Sequence, residues 1–149
     1  MFKHVLVATD GSELADRALE LAMGLGVDTR VTALMVVPDY GMAAYTRMTF
    51  GTGLDVEGLR RRIVEAGEAE LGAALARVRP NSPLRPGRVE SRVLIGDLPY
   101  QTIIDTAEQE GCDLIVMASR GRGGLASAFL GSQTLRVLAL TKVPVLVAR

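Results

Sequence analysis

One feature constrains this chain more than any other: a continuous apolar run that ends in a glycine-rich stretch and then reopens as a helix. Asp113–Ala118 (DLIVMA) has the unbroken apolar character of a strand buried on both faces of a parallel sheet. It runs into Met117–Thr134, MASRGRGGLASAFLGSQT, where Gly121, Gly123 and Gly124 precede a Gly131-Ser132 pair. Ser132 is placed as the N-cap of an apolar-periodic helix. A helix N-terminus presents amides without intrahelical acceptors and the positive end of its dipole, and glycines let a chain approach a ligand without Cβ interference. An anion, phosphate above all, is the natural occupant of such a cradle. A flexible glycine loop closed by a capped helix is the plainer reading of the same residues. No lysine follows a glycine as in a Walker A loop, and Gly121-Arg122-Gly123 lacks the third glycine of the dinucleotide fingerprint.

The remainder of the chain alternates strands with helices. His4–Thr9 (HVLVAT) reads as a strand, and Asp10-Gly11-Ser12 turns it into a helix with Leu14, Ala18, Leu21, Ala22 and Leu25 on one face. Ser12 is the expected N-cap, and Gly24 or Gly26 the stop. Arg30–Val37 is a second strand, closed by Pro38. Between Asp39 and Asp55 lies a connection containing Tyr40, Tyr45 and Phe50, long for a compact domain. It reads as a lid over a ligand or, preferably, as an excursion packed on the domain surface or on a second subunit. Met42 and Met48 in it read as gap-fillers.

Leu59, Ile63, Ala66, Leu71, Ala74, Leu75 and Val78 then recur at helical spacing. The Arg60-Arg61-Arg62 run lies within helical reach of Glu57, Glu65 and Glu68, so it reads as a mixed-charge solvated face. Pro80, Pro83, Pro86 and Gly87 force an irregular link into a third strand, Val89–Ile95, whose apolar residues gather at its end. Gly96-Asp97-Leu98-Pro99 opens a helix carrying Ile103, Ile104 and Ala107, capped by Asp97 or its neighbour and stopped at Gly111. Val143–Val147, with Pro144 near its start, is a terminal edge strand.

Five strands alternating with four helices predict a doubly wound, five-stranded parallel sheet of order 3-2-1-4-5, Rossmann-like, with helices on both faces. Ligands of such sheets bind at the carboxyl ends of the strands, where strand order reverses. Asp10, after the first strand, and the Gly121 loop, after the fourth, therefore converge on one crevice. The 149 residues suit one domain, 1–149, and 17 basic against 17 acidic residues leave no net field to draw nucleic acid or an anionic membrane. A lone cysteine, Cys112, excludes an intrachain disulfide. Neither a leader nor an apolar run of about 20 residues stands out, which suggests a cytoplasmic protein. His4 is expected at the surface, at the end of the sheet away from the crevice. Cys112 is expected to be structural.

Gly121, nine intervening residues, then Gly131-Ser132 resembles the nucleotide-binding signature of the universal stress protein family, G-x2-G-x9-G-[S/T]. Ala118 stands at the first glycine position, so the match is A-x2-G-x9-G-S. Ala8-Thr9-Asp10 and the terminal PVLV match the family's pattern as well, and the resemblance spans the chain. It implies an adenine nucleotide alpha-hydrolase-like fold that holds ATP, or ADP or AMP. Thr9, Asp10, Val36 and Met117 would frame adenosine, with Gly96 a ribose or adenine neighbour. The backbone of Ala118, Ser119, Gly121, Gly131, Ser132 and Gln133 would hold phosphates or ribose, with the Ser132 hydroxyl as a further donor. Arg120 and Arg122 are candidates to pair with phosphate. Mg²⁺ or Mn²⁺ would be carried by the phosphates, since no carboxylate cluster marks a protein-made metal site. The resemblance also implies a homodimer through strand 143–147 and a stress-response regulator without catalytic residues. Two alternatives stay open: a slow ATP hydrolase working as a switch, and a nucleotide-free homodimeric interaction module.

Overall fold

β1 (His4–Ala8) is the axis of the sheet, because Val5, Leu6 and Val7 have no exposed surface and so need cover on both faces. In the computed structural model, which describes residues 1–39, 55–121 and 130–149, it pairs in parallel with β2 (Arg30–Val37) and β4 (Leu114–Ala118). β3 (Val89–Ile95) and β5 (Val145–Ala148) complete the order β3-β2-β1-β4-β5, all neighbours parallel. The doubly wound sheet of order 3-2-1-4-5 is therefore the observed fold. The connection 40–54, with its Tyr40, Tyr45 and Phe50, lies outside the described residues.

Side-chain alternation along the strands sorts the core into two layers. Val5, Val7, Val31, Ala33, Met35 and Val116 point to one face, where α1 (Glu13–Gly24) supplies Ala18, Leu19 and Met23 and α2 (Val56–Val78) supplies Leu71, Ala74 and Val78. Leu6, Leu34, Ile115 and Met117 point to the other, covered by Ile103, Ile104 and Ala107 of α3 (Pro99–Gln109) and Val137 of α4 (Ser132–Leu140). The buried stripe of α2 departs from the predicted one in its first half: Gly58 and Gly67 are buried, Leu59 and Ile63 are half-buried, and Ala66 is exposed. A Cβ on Gly67 would lie 2.8 Å from Val93 Cγ1 and 3.3 Å from Val37 Cγ1, so the helix passes too close to the strands for any side chain there.

Terminators follow the local chemistry with three shifts. α1 ends at Gly24, and Gly111, at φ 65, closes the turn after α3. Leu98, the neighbour of Asp97, holds the N-cap position of α3. Ser12 stands at the N-cap position of α1, but its hydroxyl donates to Asp10 Oδ1 at 2.5 Å instead of capping the helix. Gly131, extended at φ −62 and ψ 152, is the N-cap of α4, and Ser132 is the first helical residue. β5 begins two residues later than the predicted Val143, because the Val143 N–H turns back to Thr141 Oγ1 at 3.1 Å and Pro144 has no N–H to give; the first bond to β4 runs from the Ile115 N–H to Pro144 O at 2.9 Å. β3 stays half exposed to its end, as befits an edge. No described helix is long and apolar enough to cross a membrane.

Candidate functional site

The carboxyl ends of β1, β2 and β4 open into a cavity of about 510 Å³, within the range of small-molecule sites. Its wall takes Ala8, Thr9 and Asp10 from the end of β1, Val36 from β2, and Met117, Ala118, Arg120 and Gly121 from β4 and the residues after it. Gly131, Ser132 and Gln133 come from the start of α4. The fold thus brings together residues more than a hundred positions apart, at the point where strand order reverses.

Each part of the wall is held by bonds that explain its position. Thr9 donates its N–H to Leu34 O at 2.9 Å, extending β1 by one step, and its hydroxyl accepts the Gly11 N–H at 3.1 Å. Asp10 Oδ1 accepts the Ser12 N–H at 3.0 Å as well as the Ser12 hydroxyl. Arg77 of α2 forks onto Asp16 at 2.6 and 2.8 Å and reaches Gly11 O at 3.0 Å, fixing this turn against the opposite helix. On the other side, Thr134 donates its hydroxyl to Ala118 O at 2.9 Å, and the Gly131 N–H donates to Ser119 O at 2.7 Å. These two bonds seat the first turn of α4 on the end of β4. A Cβ on Gly131 would meet Arg120 Cα and Ser119 O at 3.4 Å, ordinary van der Waals contact, so the start of α4 lies directly against the residues after β4. A Cβ on Gly121 would approach Asp10 Oδ2 to 3.2 Å, so the loop after β4 runs directly against the acid that follows β1.

The start of α4 adds a set of donors to the wall. The first intrahelical bond of α4 runs from the Leu135 N–H to Gly131 O at 3.0 Å. The amides of Ser132, Gln133 and Thr134, ahead of it, have no carbonyl in their own helix to bond, and they sit at its positive end. Facing these amides, the wall has an apolar flank formed by Val36, Pro38, Ile103 and Met117.

Several expected roles shift. Ser119 does not line the cavity, and its N–H is committed to Ala148 O at 2.7 Å. Gly131 lines it, but its N–H is committed to Ser119 O, so the donor set begins at Ser132. Gly96 is not in the wall: it follows edge strand β3, donates its N–H to Val37 O at 3.0 Å, and faces Val36 and Thr102. Arg122 lies outside the described residues. Ala118 is the last residue of β4, paired with Ala148 in extended backbone, so alanine at the first glycine position introduces no strained conformation. Gln133 has an unforeseen part, for its Oε1 accepts the Tyr100 N–H at 3.0 Å and thereby caps α3 from α4. Ala15, Pro38, Pro99, Ile103 and Thr134 also line the cavity without having been singled out. All lie just after a strand or in the first turns of a helix, which is the end of the sheet the topology points to.

Residues 1–149 match the Universal stress protein family over their full extent. The chain belongs to the universal stress protein family. A universal stress protein of Thermus aquaticus is 34% identical over 154 residues, covering 100% of both chains. Universal stress protein MJ0577 of Methanocaldococcus jannaschii is 31% identical over 159 residues, covering 100% of this chain and 96% of its own. Among solved structures, that of MJ0577 superposes with a TM-score of 0.77 at 26% identity, and that of PH0823 with 0.76 at 29%; each comparison covers 99% of this chain and 96% of the other. These structures share with this chain the doubly wound α/β fold.

His4 and Cys112 lie at the opposite end of the sheet. His4 is buried, contrary to the expected surface position, because its ring is held by Thr32 Oγ1 at 2.9 Å and Glu110 O at 3.2 Å. Cys112 is buried too, and desolvation first, with the nearby Glu110 carboxylate second, pushes its thiol up to about 12. It is a thiol at neutral pH and no nucleophile for the cavity. Desolvation would by itself raise the Asp113 carboxyl, but the N–H groups of Lys3 and His4, at 2.8 and 3.1 Å, hold it below its usual range.

Proposed function

We propose that this chain binds ATP, or a closely related adenine nucleotide, in the crevice between β1 and β4, and acts as a cytoplasmic stress-response regulator. The observation that carries the reading is the first turn of α4, whose Ser132 and Gln133 amides border a cavity of about 510 Å³ facing the Asp10 turn. Phosphates would lie on those amides, with Arg120 beside them. Adenosine would lie between Thr9, Val36 and Met117, where the wall is apolar. Mg²⁺ or Mn²⁺ would travel with the phosphates, since Asp10 is the only carboxylate in the described wall. The described wall contains no lysine, and Asp10 is already engaged by Ser12, which favours a holding site over fast hydrolysis. β5 is an edge strand, and pairing with a second copy across a two-fold axis would cover it.

The test is to denature the purified protein and resolve the released small molecules by anion exchange, then titrate nucleotide-free protein with ATP in a calorimeter. Adenine nucleotide in the released fraction, or saturable 1:1 ATP binding, is the expected result. Clean protein that gives neither heat nor a thermal shift with ATP would leave a nucleotide-free interaction module instead.

A further inference from the structure

A second constellation of reactive side chains lies at the amino end of the sheet, remote from the cavity. His4 opens β1, Glu110 follows α3, and Cys112 precedes β4; one ligand atom from each falls within 4.8 Å of the others. The three are brought together by backbone bonds that owe nothing to their side chains: the Cys112 N–H donates to Ala107 O at 2.8 Å and the Asp113 N–H to His4 O at 2.9 Å.

The ligand atoms of the cluster are held in place by polar neighbours that a cation could replace. His4 Nε2 lies 2.9 Å from Thr32 Oγ1, which lies 2.8 Å from Glu110 Oε2, and Nε2 is 3.6 Å from Oε2. His4 Nδ1 is 3.2 Å from the Glu110 carbonyl, an acceptor that can only take a hydrogen, so the neutral ring carries its proton there and leaves Nε2 a lone pair. Arg30 Nε donates to that lone pair at 3.2 Å, and the Thr32 hydroxyl donates to Glu110 Oε2 at 2.8 Å. The other carboxylate oxygen, Glu110 Oε1, is shielded from solvent without a hydrogen bond; Arg92 Nε is 2.8 Å away but off the hydrogen-bond direction. A cation at Nε2 would take the place of the Arg30 N–H there, and at Oε2 that of the Thr32 hydroxyl proton.

We propose that His4 Nε2, Glu110 Oε2 and Cys112 Sγ form a binding site for a borderline-soft divalent cation of the Zn²⁺ type, with the Thr32 hydroxyl or a water at the fourth corner. The donor set decides the class. One imidazole, one thiol and one carboxylate suit Zn²⁺, whereas Mg²⁺ and Ca²⁺ require oxygen throughout. The His4–Glu110 separation is close to the edge of a tetrahedron around Zn²⁺, about 3.3 Å for ligands at about 2.0 Å. The Nδ1–H bond to the Glu110 carbonyl is the second-shell bond that orients a ligating histidine. Arg30 donates its Nε–H to Nε2 at 3.2 Å, with an Nη 3.1 Å from Nδ1, and must leave for a cation to bind. It is an exposed residue and can swing into solvent. Balance requires one proton to leave: the Cys112 S–H bond breaks, sulfur keeps the electron pair and donates it to the metal, and the proton passes to buffer.

The test uses the full chain, stripped of metal by a chelator and free of nucleotide. Zn²⁺ is titrated calorimetrically in two buffers of different ionisation heat, and Co²⁺ serves as a spectroscopic substitute. Expected are 1:1 binding, release of about one proton, and a thiolate-to-Co²⁺ charge-transfer band with intense four-coordinate d–d bands. Cys112→Ser should abolish the charge-transfer band and weaken Zn²⁺ by about 100-fold or more, a ligand counting for more than an outer-shell partner. Glu110→Gln should weaken Zn²⁺ while keeping the band. A wild-type chain with no saturable Zn²⁺ binding and no thiolate band would overturn the proposal. Zn²⁺ affinity unchanged in Cys112→Ser would overturn it as well. Neither failure bears on the nucleotide site, which is at the other end of the strands.

Discussion

Replacing Ser132 by proline removes a single amide from the proposed cradle and leaves the helix that presents it intact. Ser132 is the first residue of α4, where proline is favoured because the missing N–H would have had no intrahelical partner. The residue before a proline must be extended, and Gly131 already is, at φ −62 and ψ 152. Stability should therefore change by less than about 0.5 kcal/mol. A hydrogen bond from an amide to a charged oxygen contributes about 1.5–3 kcal/mol, so ATP should bind about 10- to 150-fold more weakly. Ser132→Ala, which deletes only the hydroxyl, separates the two donors of that residue. Calorimetric titration with ATP, beside urea unfolding, provides both readouts. If Ser132→Pro is as stable as the native chain and binds ATP as Ser132→Ala does, the amide has no part in holding phosphate and the reasoning fails.

Two glycines of α2 should respond to the same substitution with opposite signs. Gly67→Ala forces a methyl to 2.8 Å from Val93 Cγ1 and should destabilise by about 1 kcal/mol net, overpacking outweighing helix propensity, whereas Gly72→Ala meets open space and should stabilise by about 1 kcal/mol. Urea midpoints decide it, and equal signs would refute the packing described for α2. Asp113 has a depressed folded carboxyl pKa, so its stabilisation is present above the unfolded value near 4 and is lost as pH falls through the folded one. Asp113→Asn should thus unfold more easily than the native chain at pH 7, with the gap closing in acid; a gap independent of pH would contradict the assignment. Gln133→Leu removes the acceptor of the Tyr100 N–H and should cost about 1 kcal/mol in urea unfolding, and no change would mean the α3 cap is not held from α4.

The sheet was legible because its strands are short apolar runs closed by turn residues, and because an alternating strand–helix pattern admits few topologies. The convergence of Asp10 with Gly121 followed from that order alone. Less legible was anything decided by close approach between distant elements. That Gly67 and not Ala66 faces β2 and β3 depends on how near α2 lies to the sheet. Which cradle amides are already used depends on where Ser119 O and Ala148 O fall in space, so the commitments of Gly131 and Ser119 could not be read from spacing. That Gly96 turns toward Val36 and Thr102 and lies outside the cavity wall likewise depends on how α3 packs beside the end of β2. His4 was read as a surface residue because its partners, Thr32 and Glu110, are distant in the chain.

The central claim is that phosphate oxygens are held by the leading amides of α4, and an amide-resolved ¹⁵N–¹H titration of the labelled chain tests it most directly. With ATP, the Ser132 and Gln133 amide protons should move downfield together and saturate, while adenosine alone should leave them nearly unmoved and perturb the surroundings of Val36 and Met117. Equal responses to ATP and adenosine at Ser132 and Gln133, or an ATP response that leaves those two amides where they were, would contradict the account.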